Sequence, residues 1–136
     1  MKAERIFETV LYADDLRAAE SFYRDVLGLE VQSNMGVGLA FRFGSSVLLV
    51  FDAKRTEVSH RGVPSHGAHG PGHVAFGVRD EELEAWREHL ARHGVAIERE
   101  VEWSEGGRSI YFRDPAGNSI ELAPPTLWGG GWDFGR

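Results

Sequence analysis

The sequence predicts an α+β fold: two tandem βαβββ modules that form a curved mixed sheet around a cavity, with the helices outside. Three observations carry that reading. The order strand, helix, three strands occurs twice in the chain. Each helix follows an aspartate, Asp15 or Asp80, and is stopped by a glycine, Gly28 or Gly94. Glu8 and His73 hold the same place in the two copies, each seven residues ahead of its aspartate (15 − 8 and 80 − 73).

Residues 6–13 read as the first strand, after which Asp14 and Asp15 can cap a helix over 16–26. Leu16, Ala19, Phe22, Tyr23 and Val26 recur there at the three-to-four spacing of one apolar stripe. Gly28 supplies the C-terminal stop. Residues 29–33, 39–43 and 47–52 follow as strands, separated by turns at 34–38 and 44–46. Residues 54–72 break the pattern with Gly62, Pro64, Gly67, Gly70, Pro71 and Gly72, and with His60, His66 and His69, so they read as a long connecting loop. The order then restarts: a strand over 73–78, Asp80 as cap, a helix over 81–93 with Leu83, Trp86 and Leu90 on its apolar stripe, and a strand over 95–101. Module one spans about 5–53, the loop 54–71, module two about 72–124 and a tail 125–136, all within a single domain.

The last element is a hairpin over 106–122. Asp114, Pro115, Ala116, Gly117 and Asn118 form its turn, since Pro115 pre-sets φ and Gly117 and Asn118 tolerate the left-handed region. In the returning strand Ile120 and Leu122 face one side, and Ser119, Glu121 and Ala123 the other. Burying a lone carboxylate in such a strand costs free energy unless something pairs with it. Superposing the two copies sets Glu8 opposite His73, Phe41 opposite Phe112 and Leu49 opposite Glu121. Strand alternation puts Glu8, Val10 and Tyr12 on one face of the first strand, and His73, Ala75 and Gly77 on one face of its counterpart. The small residues Ala75 and Gly77 leave volume beside His73, as a binding cavity requires.

At 136 residues the chain has the length of one domain. A content of 42% hydrophobic and 26% charged residues places it among soluble globular proteins. No apolar run approaches the ~20 residues that cross a bilayer, and the N-terminus has no signal-type apolar segment, so the expected location is cytoplasmic. The absence of cysteine excludes disulfides, zinc–thiolate sites and thiol nucleophiles. A net charge of −6 argues against a nucleic-acid role.

Four segments make the chain resemble the vicinal oxygen chelate superfamily, which includes glyoxalase I, extradiol dioxygenases and the bleomycin-resistance proteins. They are Asp14-Asp15-Leu16, Phe22-Tyr23-Arg24-Asp25-Val26-Leu27-Gly28-Leu29, Gly72-His73-Val74-Ala75-Phe76, and Phe112-Arg113-Asp114-Pro115-Ala116-Gly117-Asn118-Ser119-Ile120-Glu121-Leu122. The resemblance implies metal ligands at equivalent strand positions of the two modules, here Glu8, Leu49, His73 and Glu121. Leu49 cannot bind a metal, which leaves Glu8, His73 and Glu121. One imidazole with two carboxylates suits Mn, Ni, Zn or Mg more than Fe. The implied activity is a small metal-dependent lyase or isomerase of the glyoxalase type, acting on an oxygen-chelating small molecule, with Glu8 or Glu121 as the proton shuttle. Two alternatives stay open: a metal-free ligand-sequestering protein of the bleomycin-resistance kind, and an extradiol-type dioxygenase, which needs Fe²⁺ and a further histidine such as His66 or His69.

Arg42, Arg108 and Arg113 read as surface charges of strand edges and the hairpin, with substrate orientation as the alternative. Tyr12, Phe51, Trp103 and Tyr111 line either the core or the cavity. The glycine-rich tail carries Trp128, Trp132 and Phe134, and the expectation is that Trp128 and Trp132 pack over the cavity or onto a second subunit. A homodimer is the expected assembly.

Overall fold

The computed structural model describes residues 1–134; Gly135 and Arg136 of the tail lie outside the described residues. The chain divides into two compact units, residues 1–72 and 73–136, and each repeats the same strand pairing.

In the first unit β1 (Glu8–Tyr12) leads into α1 (Leu16–Ser21), which runs on as one π-helical turn over Phe22–Val26. Asp15 caps α1 by accepting the Ala18 N–H at 3.0 Å, as the sequence indicates. The wider turn lets adjacent Phe22 and Tyr23 both point inward with Val26. Gly28, at φ 68°, ends it, and Leu29 N–H closes back onto the Tyr23 carbonyl at 2.9 Å. β2 (Glu30–Asn34), β3 (Gly38–Phe43) and β4 (Ser46–Phe51) complete a four-stranded sheet of order β1-β4-β3-β2, with β1 parallel to β4.

The connecting segment is not loop throughout. Its start folds into a short helix, α2 (Ala53–Thr56), because Ala53 and Thr56 are buried and the Asp52 carboxylate accepts the Lys54 N–H at 3.0 Å. Further on, His66 is docked rather than free in solvent. Its Nδ1 lies 2.7 Å from the Tyr12 hydroxyl, its ring packs on Phe51, and its N–H donates to the Thr56 carbonyl. His69 sits at the surface, 2.8 Å from Glu57.

The second unit opens with β5 (His73–Gly77). Asp80 does not cap the following helix. The chain enters it through a 3₁₀ turn over Asp80–Glu82, and the Glu82 carboxylate reaches back to the Arg79 N–H at 3.0 Å and the Arg79 guanidinium at 2.8 Å. Asp80 instead accepts the Arg108 N–H at 3.3 Å, from a strand 28 residues away that the sequence gives no means of placing. α3 (Leu83–Arg92) buries Leu83 and Leu90 and is tied to β6 (Arg99–Glu102) by Arg87, which grips Glu100 at 2.6 and 2.9 Å. β6 begins at Arg99 and not at 95, although just ahead of it the Glu98 N–H already donates to the Tyr111 carbonyl at 2.8 Å. β7 (Arg108–Arg113) and β8 (Ser119–Ala123) form the expected hairpin, and the sheet order is β5-β8-β7-β6. Its turn is organised by buried Asp114, which accepts the N–H of Ala116 and of Asn118 and the Asn118 side-chain amide. The expected α+β fold of βαβββ modules is thus present, as two four-stranded mixed sheets.

The registers reproduce the equivalences read from the sequence. Glu8 pairs with Val47 and Val10 with Leu49; His73 pairs with Ser119 and Ala75 with Glu121. Phe41 lies across from Leu48 as Phe112 does from Ile120. Leu49 and Glu121 therefore occupy one structural position in two copies.

Trp128 and Trp132 do not pack over a cavity within the unit: they are 81% and 58% exposed, because the glycine-rich backbone turns them outward. Phe134 is the tail residue that docks. A Cβ on Gly77 would meet the Phe134 ring at 2.6 Å, so the space expected beside Gly77 is filled by the tail.

Two outcomes test this architecture. Arg79 holds the Glu82 carboxyl below the ordinary carboxylate range, first through its backbone N–H and then through its side chain. The stabilisation is present above the ordinary range and is lost as pH falls through the lowered value. Glu82→Gln keeps an acceptor but loses the charge; solvent screening limits the cost at neutral pH to roughly 0.5–1 kcal/mol, and urea melts of variant and wild type converge in acid. Truncation after Pro125 removes Phe134 and uncovers Gly77. Hydrogen exchange of the β5 amides then rises, and unchanged protection overturns the docked tail.

Candidate functional site

The polar chemistry of the second unit converges on β8 and its neighbours. Alternation directs Ser119, Glu121 and Ala123 to one face, and pairing brings Ala75 and Tyr111 level with Glu121 on either side. Ser109 and Tyr111, two residues apart on β7, share that face. So does His73, two residues ahead of Ala75.

Glu121 is 5% exposed, yet no buried side-chain N or O atom among the described residues lacks a partner. Its Oε1 accepts the Ser109 hydroxyl at 2.6 Å, and its Oε2 lies 3.3 Å from His73 Nε2. Tyr111 lies level with Glu121 across β7 and β8. Burial above all, then the hydrogen bond and charge of Glu121, pushes the Tyr111 phenol up to about 12. Tyr111 is therefore a proton-bearing donor and not a base. Its ring lies beside the His73 imidazole, with centroids 6.4 Å apart.

The other His73 nitrogen sets the character of the pair. Nδ1 stands 3.0 Å from the Ser119 carbonyl, which can only accept, so Nδ1 carries the proton. In neutral histidine Nε2 then presents a lone pair to Glu121 Oε2, itself a lone-pair donor. Such an arrangement is favourable only with a cation between the two atoms, either a proton or a metal ion. A backbone carbonyl that fixes the tautomer of a metal-binding histidine is the usual outer partner of such ligands. The donor set thus fits a divalent cation.

Of the residues singled out by sequence, His73 and Glu121 are brought together. Glu8 begins β1 of the other unit and is exposed. Among the described residues, neither unit gathers three His, Asp or Glu side chains into one metal-holding group. Arg113 grips Glu98 at 3.0 and 3.2 Å and the Gly117 carbonyl, the role of a hairpin surface charge. Ser109 escapes a sequence reading focused on ligands, and Trp103, expected in the core or the cavity lining, is found bonded to it. Ser109 was legible as a polar residue on the Glu121 face, but Trp103 lies past the end of β6, where no periodicity assigns it a face. An open cleft of about 450 Å³ adjoins this face, lined by Glu98, Arg99, Val101, Tyr111, Arg113 and Ser119.

The first unit is different at the equivalent positions. Leu49 replaces Glu121 and packs with Ala40 and Phe51, with Val10, Tyr12, Val37 and Val47 around them.

Comparison with known proteins gives a consistent result. The model of the Glyoxalase/Bleomycin resistance protein/Dioxygenase superfamily matches residues 5–122. The glutathione transferase FosA of Serratia marcescens is 32% identical over 118 residues, covering 86% of this chain and 78% of that protein. The metallothiol transferase FosB of Staphylococcus epidermidis is 28% identical over 120 residues, covering 83% and 76%. Among solved structures, lactoylglutathione lyase from Agrobacterium tumefaciens superposes with a TM-score of 0.89 at 40% identity, over 96% of this chain and 100% of that one.

The Nδ1–H assignment is open to measurement. Nitrogen-15 NMR of metal-free protein, above the histidine titration range, should find His73 protonated at Nδ1; the Nε2–H form would remove the lone pair on which the donor set depends.

Proposed function

The chain belongs to the glyoxalase/bleomycin resistance protein/dioxygenase superfamily, and on that premise we propose that it is a divalent-metal-dependent enzyme acting on a small molecule with two adjacent oxygens, as a lyase or isomerase. The single observation that carries the reading is the facing pair of lone pairs, His73 Nε2 and Glu121 Oε2, with His73 Nδ1 committed to the Ser119 carbonyl. The likeness to lactoylglutathione lyase supports the reaction class.

His73 and Glu121 would hold the cation, and Glu8, the counterpart of His73 in the first module, is the remaining proposed donor. A divalent cation held there would polarise a substrate oxygen and stabilise charge developing on it. Tyr111, level with Glu121 and with its phenol pushed up chiefly by burial, keeps its proton, and the adjoining cleft offers room for substrate. Both oxygens of Glu121 are engaged, which suits a ligand better than a base. Proton transfer is accordingly assigned to exposed Glu8 rather than to Glu121. Thiol addition is a second reading, supported by the names of the Serratia and Staphylococcus relatives.

Protein purified without chelators should carry a stoichiometric divalent metal, and a chelator should abolish activity. His73→Ala and Glu121→Ala should each weaken metal binding at least about tenfold, and retention of full metal by both would sink the assignment. Glu8→Gln should lower kcat by about 10²- to 10⁴-fold on the hemithioacetal of glutathione and a 2-oxoaldehyde. Turnover of an epoxide with glutathione, but not of the hemithioacetal, would decide for the transferase reading. A tight ligand complex without metal would decide for sequestration.

A further inference from the structure

The two oxygens of Glu121 are not equivalent, and the asymmetry is imposed from outside the pair. Trp103 Nε1 lies 2.8 Å from Ser109 Oγ. An indole N–H can only donate, so Ser109 Oγ must accept there. The hydroxyl has one proton, and it is thereby sent to Glu121 Oε1 at 2.6 Å. Trp103 is itself fixed at the turn between β6 and β7, where its N–H donates to the Gly107 carbonyl and its carbonyl accepts the Gly106 N–H, each at 3.0 Å. The result is a directed chain from Trp103 through Ser109 to Glu121. Ser109 is fully buried, where alanine would pack as well and would carry no polar group to satisfy. Its hydroxyl is therefore explained by the two groups it joins, the Trp103 indole and Glu121, and not by packing.

We propose that Trp103 and Ser109 form a positioning device that occupies Glu121 Oε1, so that Glu121 offers a bound divalent cation a single oxygen, Oε2, beside His73 Nε2. This rests on the metal reading above. Losing the Ser109 hydroxyl leaves Oε1 without its donor and free to turn toward the cation. Losing the indole N–H frees the hydroxyl to rotate and weakens the same restraint.

Mn²⁺ binding to the full chain tests it, with affinity read by calorimetry and the number of coordinated waters by water-proton relaxation. Ser109→Ala should weaken affinity by about 10- to 100-fold, as loss of an outer partner of a ligand does, and should lose a coordinated water as the carboxylate becomes bidentate. Trp103→Phe should shift both readouts the same way by less, and Ser109→Thr, which keeps the hydroxyl, should restore them. Trp103→Phe and Ser109→Thr keep the test decisive should Ser109→Ala fail to fold. Wild-type affinity and hydration in Ser109→Ala or Trp103→Phe, alongside loss of binding in Glu121→Ala, would overturn the positioning role and leave the metal reading standing. Absence of Mn²⁺ binding in the wild type, or full binding in Glu121→Ala, would overturn the metal reading and this inference with it.

Discussion

Burial of the Glu121 carboxylate is the constraint on which the second unit is built. A charged group in the centre of a strand flanked by Ile120 and Leu122, both fully buried, would cost several kcal/mol without compensation. Compensation comes from residues that strand geometry can deliver to the same face: Ser109 and Tyr111 from one neighbouring strand, and His73 from the other. The hairpin turn belongs to the same requirement. Asp114 fixes the register of β7 against β8, and a slip of one residue would send Glu121 into the apolar face and Ile120 toward His73.

The same scaffold carries the opposite chemistry in its first copy. Where the second module has Glu121 level with Tyr111, the first has Leu49 level with Ala40, and the face closes into an apolar cluster with Phe51. Polar side chains are nonetheless present there. Tyr12 and His66 satisfy each other, with the hydroxyl and Nδ1 2.7 Å apart. Duplication thus preserved backbone pairing while side-chain chemistry diverged, as expected when a fold hosts a site without specifying it.

Much of this was legible in the sequence, and the reason differs by element. The β7–β8 hairpin follows from alternation and turn chemistry, both local in sequence, and the equivalence of Leu49 and Glu121 from superposing the two copies. Helix entry was legible at Asp15, whose cap lies three residues away, but not at Asp80, whose carboxylate is drawn to the distant Arg108 amide. The π turn over Phe22–Val26 and the short α2 were hidden because burial of adjacent residues, not periodicity, selects them. Of the site, the ligand types were visible, and so was the face of Ser109. The Trp103 contact was not, since it depends on how the turn after β6 folds back.

A cation between His73 Nε2 and Glu121 Oε2 would make their approach favourable, and the surroundings bear on which kind. A proton on Nε2 would make an ordinary ion pair, but the His73 side chain is 51% exposed, and such half-solvated pairs contribute only about 0–1 kcal/mol. That gain is small against the cost of holding Glu121 ionised under the sheet. The Ser109 hydroxyl, held in turn by the Trp103 indole, already supplies Glu121 Oε1 with a donor. What the arrangement leaves unexplained by stability alone is the contact itself, where half-exposed His73 presents Nε2 3.3 Å from an oxygen of buried Glu121 with the imidazole tautomer fixed from behind. Two lone pairs held 3.3 Å apart with the tautomer fixed from behind add little to folding and fit a divalent cation, which is the physical basis for the proposed metal site.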